Sequence, residues 1–327
     1  MVRSPKWRVA PSILLPFVFC LLPFALPLKV CAQELRVGLI GADTSHVTAF
    51  TDLLNNHTVP GARVVAAVAG GSPDIPESAT RMPGYIATLR DKWHIELVAT
   101  IPELLEKVDA VMLTSVDGRP HLEQVRPVIA AHKPVFIDKP MAGSLKDVRE
   151  IFRLCAETKT PCFSASSLRF YPTIEAVKSD TLPISVEAFS PATLEAHHSD
   201  LYWYGIHGVE ILYTLMGPGC RSVQRSLTDD QEITVGVWKD GRIGTFHGFR
   251  KGDHGYGATV FTAKGAKHSD PVVGATYKRL LEEIVKFFQT GVAPVSPEET
   301  IEMFAFMDAA QLSRQRGGVR VELSEIQ

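Results

Sequence analysis

From residue 35 onward, short uninterrupted apolar runs alternate with stretches whose apolar positions recur every three or four residues. The first pattern is that of strands buried on both faces, and the second is that of amphipathic helices. Strands are predicted at 35–41, 63–69, 110–115, 134–138 and 161–165, with a weaker one at 91–99. Helices are predicted at 47–55, 101–108, 122–131 and 144–159, the last with Ser144 as its N-cap. Alternation of strand and helix with short links gives a parallel sheet with right-handed crossovers, a doubly wound α/β domain of Rossmann type.

The pattern changes in the second half. A strand at 184–189 leads into a polar, aromatic segment and a helix from about 205 to 216, which Gly217-Pro218-Gly219 stops. Two strands, 232–238 and 242–249, flank Lys239-Asp240-Gly241, and an Asp-Gly pair between such runs signals a hairpin. A strand at 256–263, helices at 276–289 and 297–316, and a strand at 319–323 close the chain. This half reads as an α+β domain with a mostly antiparallel open sheet. The predicted partition is an export segment at 1–32, the doubly wound domain at 33–160 and the α+β domain at 161–327.

The first 32 residues stand apart. Arg3, Lys6 and Arg8 precede an apolar stretch from 13 to 28, and Val30-Cys31-Ala32 supplies small residues for cleavage. That is the anatomy of a secretory signal peptide. Pro16, Pro23 and Pro27 disfavour a membrane span, so none is expected after cleavage. Export removes four basic residues and no acid, which takes the formal charge from −2 to −6. Without a basic patch, nucleic acid is not an expected partner. Of five cysteines, Cys155, Cys162 and Cys220 remain, and free buried thiols are expected.

Candidate chemistry sits at the strand ends. Gly41, Asp43, Thr44, Ser45 and His46 follow the first strand and open the first helix, where a dinucleotide fold puts its phosphate-binding turn. Only the first glycine of G-x-G-x-x-G is present, since Asp43 and His46 stand at the other two positions. A capped turn that binds nothing is an equal reading. Glycines and Ser72 end the second strand where an NAD site has an acid, so NAD and NADP are both open. Asp138-Lys139-Pro140 ends a buried strand, and a buried lysine suits polarisation of a hydroxyl. His207 falls at a helix start with Glu210 three residues on, as a base or as a packed imidazole. His197, His198, Asp200, His207 and Glu210 lack metal-ligand spacing, so no metal is expected.

Taken together these segments resemble the glucose–fructose oxidoreductase/inositol dehydrogenase/MocA (Gfo/Idh/MocA) family. The resemblance rests on Gly41, 114–121 with Leu122-Glu123, Asp138-Lys139-Pro140, 168–172, Gly205-Ile206-His207 with its acid, Pro294-Val295-Ser296 and Gly317-Gly318. It implies an NAD(P)-dependent oxidoreductase of a sugar, cyclitol or related polyol. In that reading Lys139 holds the reacting hydroxyl and His207 takes its proton. Ser115, His121 and Asp138 line the cofactor side with the first turn, and Arg169, Trp203 and Tyr204 line the substrate side. Trp203 replaces an acid that relatives often carry, which leaves Asp200 or Glu210 as substitutes. A homo-oligomer through the open sheet is also implied. Two alternatives stay open: a redox-neutral lyase, epimerase or glycosidase with tightly held NAD, and a carbohydrate-binding protein without a working nucleotide site.

Overall fold

The computed structural model describes residues 1–8, 34–272 and 276–326. Residues 1–8 are exposed and irregular, and the rest of the predicted export segment lies outside the described residues. Residues 33–327 form one compact unit that carries both sheets.

The first sheet is built by β1 (Leu35–Ile40), β2 (Ala62–Val68), β3 (Glu96–Val98), β4 (Ala110–Leu113), β5 (Val135–Ile137) and β6 (Cys162–Ser164). All pairings are parallel, in the order β3-β2-β1-β4-β5-β6. Every residue of β4, β5 and β6 is buried, as continuous apolar runs require. The crossovers are α1 (Ser45–Asn55), α2 (Pro76–Asp91), α3 (Ile101–Leu105), α4 (His121–Ala130) and α5 (Leu145–Thr158). Ser144 caps α5 by accepting from the Asp147 N–H at 3.1 Å, as its sequence predicts.

One helix went unread. Segment α2 contains Pro83 and Gly84, lacks a side-chain cap and buries only Ser78 and Leu89, so its apolar stripe is too thin to show a period. The strand expected at 91–99 shrinks accordingly to the three residues of β3 at the sheet edge.

A short helix α6 (Pro172–Glu175) leads to the second sheet. Its strands are β7 (Ser185–Pro191), β8 (Cys220–Leu227), β9 (Gln231–Trp238), β10 (Ile243–Phe249), β11 (Gly257–Thr262), β12 (Gly265–His268) and β13 (Val321–Glu322). Their order is β12-β11-β7-β10-β9-β8-β13. The predicted hairpin is present: β9 and β10 pair antiparallel, and Gly241 takes φ +90° in the turn. β8 and β12 were not read from the sequence. Between β7 and β10 the pairing is parallel, across more than fifty intervening residues. Helices α7 (Ile206–Met216) and α9 (Pro297–Gln315) cover one face of this sheet. On its other face Ile233 and Ile243 are exposed.

The last third of the chain also serves the first sheet. Helix α8 (Lys278–Thr290) buries Leu281, Ile284 and Phe287 in the same cluster as Phe50, Phe136 and Phe163. Phe287 meets Phe163 edge-on at 4.8 Å between ring centroids. Cys155, Cys162 and Cys220 are free and buried. No described helix is long and apolar enough to cross a membrane.

Candidate active site

The β1–α1 turn is shaped by contact with the loop after β4. Gly41 has φ +88°, and a Cβ there would lie 2.3 Å from Ser115 Oγ and 2.5 Å from its backbone nitrogen. Only glycine fits. Thr44 caps α1 by accepting from the His46 N–H at 3.3 Å. Asp43 is 1% exposed and turns inward, accepting from the Val116 N–H at 3.0 Å and the Ser78 hydroxyl at 2.6 Å. Burial pushes its carboxyl above the usual range despite these bonds. The anion that would repel phosphate is therefore not presented at the helix N-terminus, where Thr44 and Ser45 face open space.

The end of β2 is tied across to the end of β4. The Ser72 hydroxyl donates to Asp117 at 2.5 Å, its N–H donates to Ser78 at 2.7 Å, and Arg119 forks between Asp117 and Asp74. Asp117 also lies 3.1 Å from His198 Nε2, whose other ring nitrogen is 2.6 Å from Glu195. Burial opposes charge on Asp117, but bonds from His198, Arg119 and Ser72 outweigh it and hold the carboxyl far below its usual range. Asp74 and Asp117 are thus both taken up by Arg119, and the acid on this side that lines the cavity is Glu77, in the first turn of α2.

A cavity of about 330 Å³ opens beyond the carboxyl ends of β1, β4 and β5, the switch point of the first sheet. Lys139 enters it from the end of β5 and lies 5.6 Å from the Tyr204 ring centroid. Its ammonium has no hydrogen-bond partner among the described residues. Burial lowers its pKa, against the opposing charge of Asp138. The Lys139–Pro140 peptide is cis.

His207 enters from the first turn of α7. Its Nδ1 lies 2.7 Å from Ser166 Oγ. Burial, then the Lys139 ammonium and the neighbouring His46, drive its pKa well below that of a free imidazole. A neutral ring that donates from Nδ1 to Ser166 leaves Nε2 as an acceptor toward the cavity. Ser166 is itself placed by Glu210, which accepts its backbone N–H at 3.1 Å and pairs with Arg169. Glu210 therefore supports His207 through Ser166 and does not touch it. Asp200 pairs with Arg225 and Arg314, so neither acid contacts Lys139 or His207.

His46 reaches across to the same cavity. Its Nδ1 hydrogen-bonds Asp138 Oδ2, and its ring stacks on Phe50 and meets Tyr277 edge-on at 4.7 Å. Asp138 also accepts the Lys139 N–H at 2.8 Å. Burial opposes charge on Asp138, but His46 and Lys139 outweigh it and its pKa is lowered. Burial raises the Tyr256 and Tyr277 hydroxyls to about 12, so both remain donors.

The structure thus gathers Thr44, Ser45, His46, Lys139, Trp203, Tyr204 and His207 on one cavity. Three other expected site residues are spent inside the protein. Both ring nitrogens of His121 lie on carbonyls, of Met141 at 3.2 Å and Ser115 at 3.0 Å, and burial lowers its pKa. Ser115 donates its hydroxyl to Gln124 at 3.0 Å. Arg169 is buried between Glu210 and Glu299 and is a structural cation, not a substrate ligand. Sequence reasoning missed Ser166, Tyr256 and Tyr277. The last two are single tyrosines with no local motif, and Ser166 is visible only as a serine just past a buried strand. Among the described residues no group of three or more metal-ligating side chains occurs.

The model of an oxidoreductase family with an NAD-binding Rossmann fold, Gfo/Idh/MocA, matches residues 35–166. Over that segment the chain is similar to the Gfo/Idh/MocA family. An inositol 2-dehydrogenase from Klebsiella pneumoniae (strain 342) is 33% identical over 122 residues, 36% of this chain. The match spans only 32% of that relative's length. Similarity in fold reaches much further. The apo scyllo-inositol dehydrogenase of Lactobacillus casei superposes with a TM-score of 0.73 at 13% identity, covering 90% of this chain and 99% of that one. Myo-inositol dehydrogenase from the same organism, in complex with NAD(H) and myo-inositol, gives 0.69 at 17% identity, covering 88% and 96%. The β1–α1 turn is fitted to phosphate in one respect and altered in another. Its helix N-terminus is open with Asp43 turned away, while the ribose-reading acid is absent and Ser72 is bonded to Asp117.

Proposed function

We propose that the protein is an NAD-dependent oxidoreductase acting on a cyclitol or related polyol. The observation that carries the reading is a partnerless Lys139 ammonium and a neutral His207 on one cavity at the switch point of the sheet. The family match and the inositol dehydrogenases of the same fold support the cofactor and the substrate class. Thr44, Ser45 and the α1 N-terminus would hold the pyrophosphate, because backbone N–H groups and the helix dipole favour an anion there. When bound, the nicotinamide accepts the hydride. Lys139 donates to the reacting hydroxyl and stabilises negative charge as it develops on the oxygen. His207 Nε2 takes the hydroxyl proton, with Ser166 holding the ring through Nδ1. Trp203 and Tyr204 offer aromatic faces to the C–H surface of a ring.

The test is nicotinamide reduction by purified protein given NAD and myo-inositol, followed by absorbance. His207→Ala is expected to lower kcat by about 10²–10⁴-fold, the usual worth of a positioned base. Unchanged turnover in that variant would refute its role. Protein that neither contains nor binds a nicotinamide nucleotide would refute the reading.

The basic-then-apolar start of the chain supports export, checked by the N-terminal mass of protein recovered outside the cytoplasm. Ile233 and Ile243 on the open face of the second sheet support self-association, checked by sedimentation.

A further inference from the structure

We propose that Asp138 and His46 form a second base in this cavity, one that removes a carbon-bound proton next to the oxidised position and so makes the protein a polyol epimerase. The inference rests on the oxidoreductase reading above and extends it to a reaction with no net redox change.

Oxidation of one hydroxyl needs one base, and His207 with Ser166 already supplies it. His46 is held separately. Asp138 takes its Nδ1, which leaves Nε2 as the ring atom open to the cavity and, in the unprotonated ring, a lone pair on it. Among the described residues Nε2 has no hydrogen-bond partner, and the residue lines the cavity. Phe50 stacks on the ring and Tyr277 abuts its edge, so the imidazole cannot swing freely. A carboxylate orienting one ring nitrogen while the other faces a substrate space is the arrangement of a general base. The position is itself informative, because a dinucleotide-binding turn has glycine at residue 46, and this chain spends that space on an imidazole and its carboxylate.

The chemistry balances. With a nicotinamide bound to take the hydride from the hydroxyl-bearing carbon, His207 would take the proton from the hydroxyl oxygen, giving a carbonyl. The C–H on the neighbouring carbon is now acidic. His46 Nε2 takes that proton, and the electron pair moves onto the carbonyl oxygen beside the Lys139 ammonium, giving an enediolate. A solvent proton adds to the opposite face of that carbon while His46 passes its proton to solvent, and the carbonyl re-forms; hydride would then return to the first carbon and the His207 proton to its oxygen. The product is an epimer, and the nicotinamide ends as it began.

The experiment uses NAD and myo-inositol in D₂O, with nicotinamide absorbance and NMR of the polyol read together. The expected result is deuterium bound to a ring carbon, at a rate well above that of the free ketone without protein. Nicotinamide reduction and ketone release with no carbon-bound deuterium would overturn this proposal and leave the oxidoreductase reading intact. Neither reduction nor exchange would overturn both. His46→Gln and the isosteric Asp138→Asn assign the base, with nucleotide binding measured alongside. In either variant that still binds nucleotide, exchange is expected to fall at least about 10²-fold. Undiminished exchange in both would overturn the assignment to this pair.

Discussion

Glu210 lies under the site without touching the cavity, and its removal tests the logic of the support beneath His207. Its carboxylate is 1% exposed, pairs with buried Arg169 and accepts the Ser166 N–H. Glu210→Ala strands both partners. Removing one member of a buried ion pair costs about 3–5 kcal/mol. Arg169 keeps Glu299 at 2.6 Å, which places its share near the bottom of that range. The Ser166 N–H adds about 1 kcal/mol for a buried donor left without an acceptor. The sum is about 4 kcal/mol. With a urea slope of roughly 3 kcal/mol/M, the unfolding midpoint should fall by about 1.3 M. Replacing both charges at once, with Arg169→Met and Glu210→Leu, should recover only part of the loss, because Glu299 then loses its Arg169 partner and the Ser166 N–H stays unpaired. The assay is urea unfolding followed by far-ultraviolet circular dichroism at neutral pH. A Glu210→Ala midpoint matching the native one, or a double variant weaker than the single, would refute the argument.

Three further outcomes follow from the same geometry. The lowered pKa of His207 favours its neutral form, so the acid limb of kcat/KM should lie below the ordinary imidazole value of about 6.5, and Ser166→Ala should cut kcat by roughly tenfold for one lost hydrogen bond. Burial opposes charge on His198, but Asp117 and Glu195 outweigh it and raise its pKa, so its stabilisation is complete below about pH 6.5 and fades as pH climbs through the higher folded value. The urea midpoint should therefore decline toward mildly alkaline pH and do so less in His198→Gln; equal slopes would sink the idea. Placing the second glycine of the dinucleotide-binding pattern there with Asp43→Gly should cost about 1–3 kcal/mol by stranding the Val116 N–H and the Ser78 hydroxyl, with no gain in nucleotide affinity by calorimetry. Tighter binding by that variant would mean the native carboxylate faces the cofactor after all.

Strands β4, β5 and β6 of the first sheet were legible because they are continuous apolar runs, and the β9–β10 hairpin because Asp240-Gly241 marks its turn. Helix α2 was hidden by Pro83, Gly84 and the lack of a buried apolar stripe. β7 offers no sign that its partner is β10, since parallel pairing leaves no local turn to read. At the site, Lys139 and His207 stood out through the segments around them. What each touches did not. His46 and Asp138 are 92 residues apart, and Glu210 was expected to hold the histidine three positions away. It holds Arg169 and the Ser166 backbone instead, because a helix side chain packed inward meets whatever the fold brings to it. Asp43 read as an anion in a phosphate cradle, and only the three-dimensional position of Ser78 and the Val116 N–H shows it facing the other way.

The seat of α8 has a consequence for how the chain is made. The first sheet runs out of strands at Ser164, yet its core cluster still lacks Leu281, Ile284 and Phe287. A ribosome emits those residues more than a hundred positions later, several seconds on at ordinary synthesis rates. Throughout that interval the nascent first half carries an uncovered patch around Phe163, the kind of surface that holding chaperones bind. Amide exchange should show the β6 region gaining its full protection only in chains long enough to include Phe287.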